Sequence, residues 1–178
     1  MKRFLLLSLM FGTLWSCAEE QDFDQIDDLS VEPTVASSVF YFESDEGSIN
    51  LATNIGFYQE TFTFEAFNEA FIADNVIDGT ITYEIANTTS KSLNIFIEFL
   101  DADGNVLDME TFLIQEDPAP LLQRQVAYGD DGKSLDILRN TTNIRVRGEN
   151  LGDSTSVSAQ PDPKIILRSS AAFRIRLQ

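Results

Sequence analysis

Two runs decide the fold: Thr80-Ile81-Thr82-Tyr83-Glu84-Ile85-Ala86 and, six polar residues later, Leu93-Asn94-Ile95-Phe96-Ile97-Glu98-Phe99. In the first, Ile81, Tyr83 and Ile85 alternate with Thr80, Thr82 and Glu84. A period of two places one set on a buried face and the other on a polar face, the pattern of a half-buried strand. In the second, Leu93, Ile95, Ile97 and Phe99 form the inward row, with Asn94 and Glu98 expected to face out. The run then meets Asp101-Ala102-Asp103-Gly104-Asn105, and extended residues resume from Val106 to Ile114. That is a hairpin closed by a glycine-containing turn.

The same period extends in both directions. Val39 to Phe42 and Ile49 to Leu51 read as short opening strands, and Phe62 and Phe64 alternate with Thr61, Thr63 and Glu65. Leu121 to Tyr128 reads as a strand ending at the turn Gly129-Asp130-Asp131-Gly132. Ser134 is placed to cap a short helix over 135–139, with Asp136 in its first turn. Ile144 and Val146 oppose Arg145 and Arg147, and Phe173, Ile175 and Leu177 oppose Arg174 and Arg176. The stretch 67–74 fits neither period, as strand continuation or helical turn. Many short strands, frequent turns and at most one or two short helices predict an all-β, antiparallel β-sandwich over residues 30–178.

The first residues carry a different signal. Met1-Lys2-Arg3 precedes an apolar run from Phe4 to Leu14, too short for a bilayer core but matched to a secretory signal peptide. A cut after Ala18 would satisfy the small-x-small rule of ordinary signal peptidase and release a soluble protein. Cys17, however, is the only cysteine, so it has no partner within the chain for a disulfide in an oxidising compartment. The exit Leu14-Trp15-Ser16-Cys17 resembles the lipobox of bacterial lipoproteins, with Trp15 departing from the usual small or aliphatic residue. The resemblance implies cleavage between Ser16 and Cys17, lipid on the Cys17 thiol, a signal peptide over 1–16 and attachment to a membrane through that lipid.

Charge follows the same division. Removing residues 1–16 would take away Lys2 and Arg3, so the net charge of −17 becomes −19. Residues 17–29 are dense in acids and read as an extended, solvated tether. Acidic segments directly after the lipidated cysteine resemble those of Bacteroidota-type lipoproteins. The likeness implies an outer-membrane location, lipid-anchored and with a route to the cell surface. Such acidity argues against nucleic acid as a partner, since phosphates demand clusters of Lys and Arg.

Chemistry is sparse. The chain has no histidine, which removes the commonest general base and every Ser-His-Asp arrangement. Asp101, Asp103 and Asn105 suggest calcium, but the loop lacks glycine at the EF-hand's sixth position and has Phe112 where a closing Glu belongs. Gly129 to Ser134 imitates a phosphate loop without its first glycine, as residue 127 is Ala. No catalytic residue, metal site or cofactor is therefore assigned. Arg145, Arg147, Arg174 and Arg176 would form a basic stripe if their strands were neighbours, or pair with acids such as Glu84 and Glu98. Phe57, Tyr58, Phe67 and Phe71 are candidate docking aromatics, with core packing as the alternative. Asp153-Ser154-Thr155 resembles the short O-glycosylation acceptor of Bacteroidota-type exported proteins, which makes Ser154 a candidate acceptor.

The segment 80–106 resembles immunoglobulin-like modules of bacterial surface lipoproteins, in its paired strands and Asp-x-Asp-Gly-Asn turn. The likeness implies a non-enzymatic binding or assembly module with an envelope protein or glycan as partner. An accessory glycan-binding lipoprotein and a hydrolase using paired carboxylates are the alternative readings.

Overall fold

The computed structural model describes residues 30–177 apart from 53 and 68. The signal, the Ser16–Cys17 junction and the acidic tether lie outside the described residues. Residues 32–177 make one compact unit. Its elements are β1 (Thr34–Asp45), α1 (Glu46–Leu51), β2 (Gly56–Thr63), α2 (Ala70–Asn75), β3 (Val76–Asn87), β4 (Leu93–Leu100), β5 (Val106–Ile114), β6 (Leu122–Tyr128), α3 (Leu135–Asn140), β7 (Asn143–Asn150) and β8 (Lys164–Ile175).

Two four-stranded antiparallel sheets face each other, ordered β1-β8-β3-β6 and β2-β7-β4-β5. The class is the expected sandwich. The strand order is not the immunoglobulin one, in which A pairs with B and the sheets read A-B-E-D and C-F-G. Here only β4 and β5 are both consecutive and paired. Every other connection crosses between sheets, and the first and last strands lie side by side. This is the eight-stranded jelly-roll order. Alternation within each strand is the same in both arrangements, so period alone could not separate them.

The inward rows form a single core. Ile81, Tyr83 and Ile85 of β3 meet Leu93, Ile95, Ile97 and Phe99 of β4, with Ile144, Val146, Ile165 and Leu167 beside them. At the Asp101–Asn105 turn, Gly104 takes φ of +84°, a conformation that costs a side-chain-bearing residue. Asp101 accepts hydrogen bonds from the backbone N–H groups of Asp103 and Asn105 and from the Asn105 amide. That carboxylate is thereby spent on the turn.

Three local readings are corrected. Ile49 to Leu51 is not a strand but the end of α1, which Asp45 caps by accepting from Ser48 N at 2.8 Å. With α2 overlapping the unplaced 67–74 stretch, there are three short helices among the described residues rather than one or two. Leu177 lies beyond β8 and is exposed, because β8 ends at Ile175. Glu98 points to the outer face as expected and pairs with Arg145 and Arg147, which fold over it so that only 5% of it is exposed.

The two open sides of the sandwich are closed by different chemistry. Between β1 and β2, Phe40 stacks on Phe62 (5.4 Å between centroids) and Phe42 packs tilted against Tyr58 (3.9 Å). Between β5 and β6 charged residues enter the inward rows, Asp108 and Glu110 in β5 and Arg124 in β6, joined by Lys133 from beyond β6. Glu110 accepts from Arg124 (3.2 Å) and Lys133 (2.6 Å), and Lys133 also reaches Asp108 (2.5 Å). Burial alone would lower the Lys133 pKa, but the two carboxylates outweigh it and hold the ammonium above its usual value. Inside this seal, the buried hydroxyls of Tyr83 and Tyr128 have no hydrogen-bond partner among the protein atoms. Burial drives both phenol pKa values upward, so both groups stay neutral.

An unpartnered buried hydroxyl carries a desolvation cost of about 1–3 kcal/mol. Tyr83→Phe and Tyr128→Phe are therefore expected to leave stability unchanged or raise it by about 1 kcal/mol. Urea unfolding measures this, and a clear loss in both variants would show that the hydroxyls are satisfied.

Candidate functional site

The crossovers sort the molecule into two ends. β1–β2, β3–β4, β5–β6 and β7–β8 turn at one end, and β2–β3, β4–β5 and β6–β7 at the other. The first end is polar and locked, and the second holds an open apolar pocket.

At the locked end, Lys91 is wholly buried. Its ammonium donates to the Ser156 carbonyl (2.8 Å), to Ser156 Oγ (2.6 Å) and to Asp153 Oδ1 (3.3 Å). Ser156 Oγ lies 3.0 Å from Ser90 Oγ, which in turn donates to Glu46 Oε1 at 2.6 Å. An ammonium can only donate and a carboxylate can only accept, so the two ends set the direction of both hydroxyls between them. Glu46 also accepts from the backbone of Ser90 (2.6 Å) and Ser158 (2.8 Å).

Serine beside lysine suggests a nucleophile and its base. A lysine base needs a free lone pair, whereas Lys91 uses all three protons on acceptors and is paired with a carboxylate. The arrangement works as a clasp. Burial pushes the Glu46 pKa up, but the Ser90 and Ser158 donors outweigh it and leave the carboxyl below its usual value. The backbone N–H groups of Ser156 and Thr155, then Lys91, hold Asp153 far below the usual carboxylate range.

The open end is built around the β2–β3 connection. Val35, Ser37 and Val39 of β1 and Ala171, Phe173 and Ile175 of β8 line one side of a cavity of about 350 Å³. Thr63, the 64–66 segment and Ile72 of α2 line the other. Phe67 lies behind them, packed edge-on to Phe173 at 5.1 Å and 6.0 Å from Phe64. Phe173 can occupy this position because residue 79, directly across in β3, is glycine. A Cβ there would fall 2.0 Å from the Phe173 ring and 2.9 Å from the Ala172 carbonyl. The wall formed by α2 has no buried side chain and no side-chain cap. Ile72 and Ala73 pack half-buried on the core, and Arg139 Nε and Arg176 N donate to the Ala73 (2.8 Å) and Asn75 (2.9 Å) carbonyls.

The sequence-derived candidates are dispersed. β7 and β8 belong to different sheets, so the four arginines form no stripe. Arg145 and Arg147 hold Glu98, Arg174 pairs with Asp78 and Glu32, and Arg176 pairs with Glu32. Glu84 instead accepts from Gln123. Of the aromatics, Phe67 is core, while Phe57 and Tyr58 are half-buried, the latter donating to Glu60. Phe71, beside the pocket residue Ile72, is 56% exposed. Ser154 is exposed in the loop that Asp153 organises through Thr155 N and Ser156 N. Among the described residues no three or more Cys, Asp and Glu side chains are grouped to hold a metal. No helix there is long and apolar enough to cross a membrane. Sequence reasoning missed the pocket, whose lining comes from four separated segments. It also missed the clasp, since nothing in the sequence distinguishes Lys91 from a solvated lysine.

No family model and no curated protein matches the chain. Among solved structures, the sandwich is similar to VP2 of infectious bursal disease virus in its subviral particle. The identity is 11%, over 83% of this chain and 33% of that one, with a TM-score of 0.38. It is similar to the enzymatically active domain of bacteriophage CBA120 tailspike protein 4, at 11% identity over 82% of this chain and 19% of that one, TM-score 0.37. A third similarity is to Bacillus endospore appendages described as disulfide-linked pili, at 10% identity over 84% of this chain and 89% of that one, TM-score 0.34. This chain spans a third or less of the capsid and tailspike chains. These are likenesses of fold.

Two predictions concern these ends. Carboxyls with lowered folded-state pKa values stabilise fully above their unfolded values, about 4. That contribution is lost as pH falls through the folded values. The melting temperature is therefore expected to fall on acidification below about pH 4, and less steeply in Asp153→Asn; identical pH profiles would show that the Asp153 carboxylate contributes nothing. At the other end, Gly79→Ala must displace Phe173. It is expected to cost stability on the scale of a disrupted core, about 2–4 kcal/mol, read by urea unfolding, whereas tolerance within about 0.5 kcal/mol would contradict the close approach.

Proposed function

We propose that this chain is a non-catalytic binding or assembly module of the cell envelope, tethered to the outer membrane through lipid on Cys17. The observation that carries the binding role is the pocket at the β2–β3 end. A cavity of about 350 Å³ falls within the size of small-molecule sites. Its walls are mostly hydrocarbon, with Ser37, Ser38, Thr63 and Glu65 as the polar minority. An apolar recess at the end of a sandwich, bordered by β1, β8 and the β2–β3 connection, suits a compact apolar group. The tether reading rests on Leu14 to Cys17 and the acids that follow, and it sets the domain off an anionic surface that its own charge would avoid.

A second reading, glycan binding, is favoured by Phe71, an exposed aromatic next to a pocket wall, because sugar faces stack on such rings.

Binding is tested with a neutral fluorescent naphthylamine and the full sandwich. Fluorescence enhancement is expected, and Ala66→Trp, a substitution at an exposed pocket-lining position, is expected to abolish it while leaving the melting temperature unchanged. Equal enhancement in the variant sinks the pocket. A glycan array compared between the native chain and Phe71→Ala decides the second reading. The anchor is tested separately by mass spectrometry of the native N-terminal peptide, where an acylated Cys17 is expected and a bare start refutes the tether.

A further inference from the structure

β5 is an edge strand with β4 on one side only. Its inward row, Asp108, Glu110 and Phe112, is occupied by the ion-pair seal. The outward row is Leu107, Met109, Thr111 and Leu113, with Met109 at 47% and Leu113 at 66% exposed. The neighbouring outer surface is different: Glu98 is covered by two arginines, and Phe96 lies under the Arg147 guanidinium at 4.7 Å. The edge strand of the other sheet on this side, β6, presents Gln123, Gln125 and Ala127 instead. Proteins ordinarily blunt an unpaired edge with lysine, proline, bulges or inward charge. β5 contains no lysine or proline, and its bulge is confined to Leu107 at the start of the strand. Its inward charges Asp108 and Glu110 are neutralised by Lys133 and Arg124, which leaves Met109 to Leu113 as a regular edge with an aliphatic outer row.

The backbone at this edge is also directed outward. The Thr111 carbonyl accepts from Arg124 Nη1 (3.1 Å), a residue of the other sheet, and so turns away from β4. In an antiparallel strand alternate residues share that direction, so Met109 and Leu113, in the regular stretch from Asp108 to Ile114, present their N–H and C=O groups to the same side. Electrostatics narrow the occupant. Asp101 and Asp103 stand before β5, and Glu116 and Asp117 after it. With a net charge of −17, a second copy of this chain would be repelled.

The geometry points to β5 as an acceptor edge for an extended segment of another protein, apolar at alternate positions and carrying Lys or Arg at both ends. This deepens the reading of the domain as a binding or assembly module and rests on it. The incoming strand pairs with the outward N–H and C=O groups of Met109, Thr111 and Leu113. It takes over the Thr111 carbonyl from Arg124, whose guanidinium keeps Glu110 (3.2 Å) and the Phe112 ring (4.1 Å). Its apolar row lies beside Leu107, Met109 and Leu113.

The test uses a nine-residue peptide alternating valine and threonine between paired lysines. The control is a peptide of equal charge with proline at alternate positions. Fluorescence anisotropy is expected to show binding of the first and not of the second. Hydrogen exchange is expected to slow at the amides of Met109, Thr111 and Leu113. Leu113→Asp adds negative charge, so simple ionic attraction would strengthen binding, whereas strand addition is expected to weaken it about tenfold or more. Equal binding of both peptides, binding without amide protection, or stronger binding to Leu113→Asp overturns the proposal. So does concentration-dependent self-association that Leu113→Asp abolishes, because the occupant would then be a second copy. The naphthylamine assay reads the pocket independently, so failure at β5 and failure of the pocket are distinguishable.

Discussion

The chain of hydrogen bonds from the Lys91 ammonium through Ser156 and Ser90 to the Glu46 carboxylate is the constraint that the sandwich is built around. Glu46 opens the β1–β2 crossover, Ser90 and Lys91 form the β3–β4 crossover, and Ser156 lies in the β7–β8 crossover. The β5–β6 connection joins through Asp117 N to the Thr89 carbonyl, Asn87 to the Gln115 carbonyl and Gln160 to Asp117. All four connections at that end are therefore tied to one another. Two buried charges are costly in isolation, and they are tolerated here because each of their polar sites finds a partner. Removing Lys91 would leave the 151–163 loop without its central donor, which is why a loop of this length can hold one conformation.

The opposite end is tied differently. Arg176 N donates to the Asn75 carbonyl (2.9 Å), Phe64 N to the Thr142 carbonyl (2.9 Å) and Arg139 Nε to the Ala73 carbonyl (2.8 Å), while α2 covers the pocket with half-buried Ile72 and Ala73 and no buried side chain of its own. The two sides divide in the same way. Aromatic stacking closes the β1–β2 side, where the inward rows are Phe40, Phe42, Tyr58 and Phe62. Ion pairs close the β5–β6 side, where Asp108 and Glu110 replace apolar residues. Inward-pointing charge is a known means of discouraging misplaced strands, and it explains how the inner row of β5 can be sealed while its outer row stays apolar.

Much of this was legible in the residues. The Thr80–Phe99 alternation, the hairpin turn at Gly104 and the Ser134 cap all rest on local rules, and each has its expected place. Strand order was not legible, because it depends on which crossovers pack at the same end. Ile49 was misread because Ser48-Ile49-Asn50-Leu51 alternates like a strand, while the deciding signal was Asp45 three residues before Ser48, a helix cap. Glu98 was legible as an outward residue and as a partner for the arginines, because both lie on polar faces at period two. Its burial was not, since that depends on Arg145 and Arg147 standing beside it in β7 and enclosing it. The pocket lining comes from residues 35–39, 63–66, 72 and 171–175, which no local pattern joins.

The chain's acidity gives these features a common logic. A net charge of −17 opposes close approach of a second copy or of anionic lipid. Apolar surface that would be an aggregation hazard on a neutral protein can then stay open. Two such surfaces exist, the pocket between β1, β8 and the β2–β3 connection, and the outer row of β5. They lie on opposite sides of the sandwich, since β1 and β2 border one side and β5 and β6 the other. One could therefore be filled without closing the other, with the core formed by β3, β4, β7 and β8 between them. Coupling between the two would have to pass through Phe173, Ile81 and Tyr83 to Phe112. These residues are close-packed, which favours independent occupation over a switch.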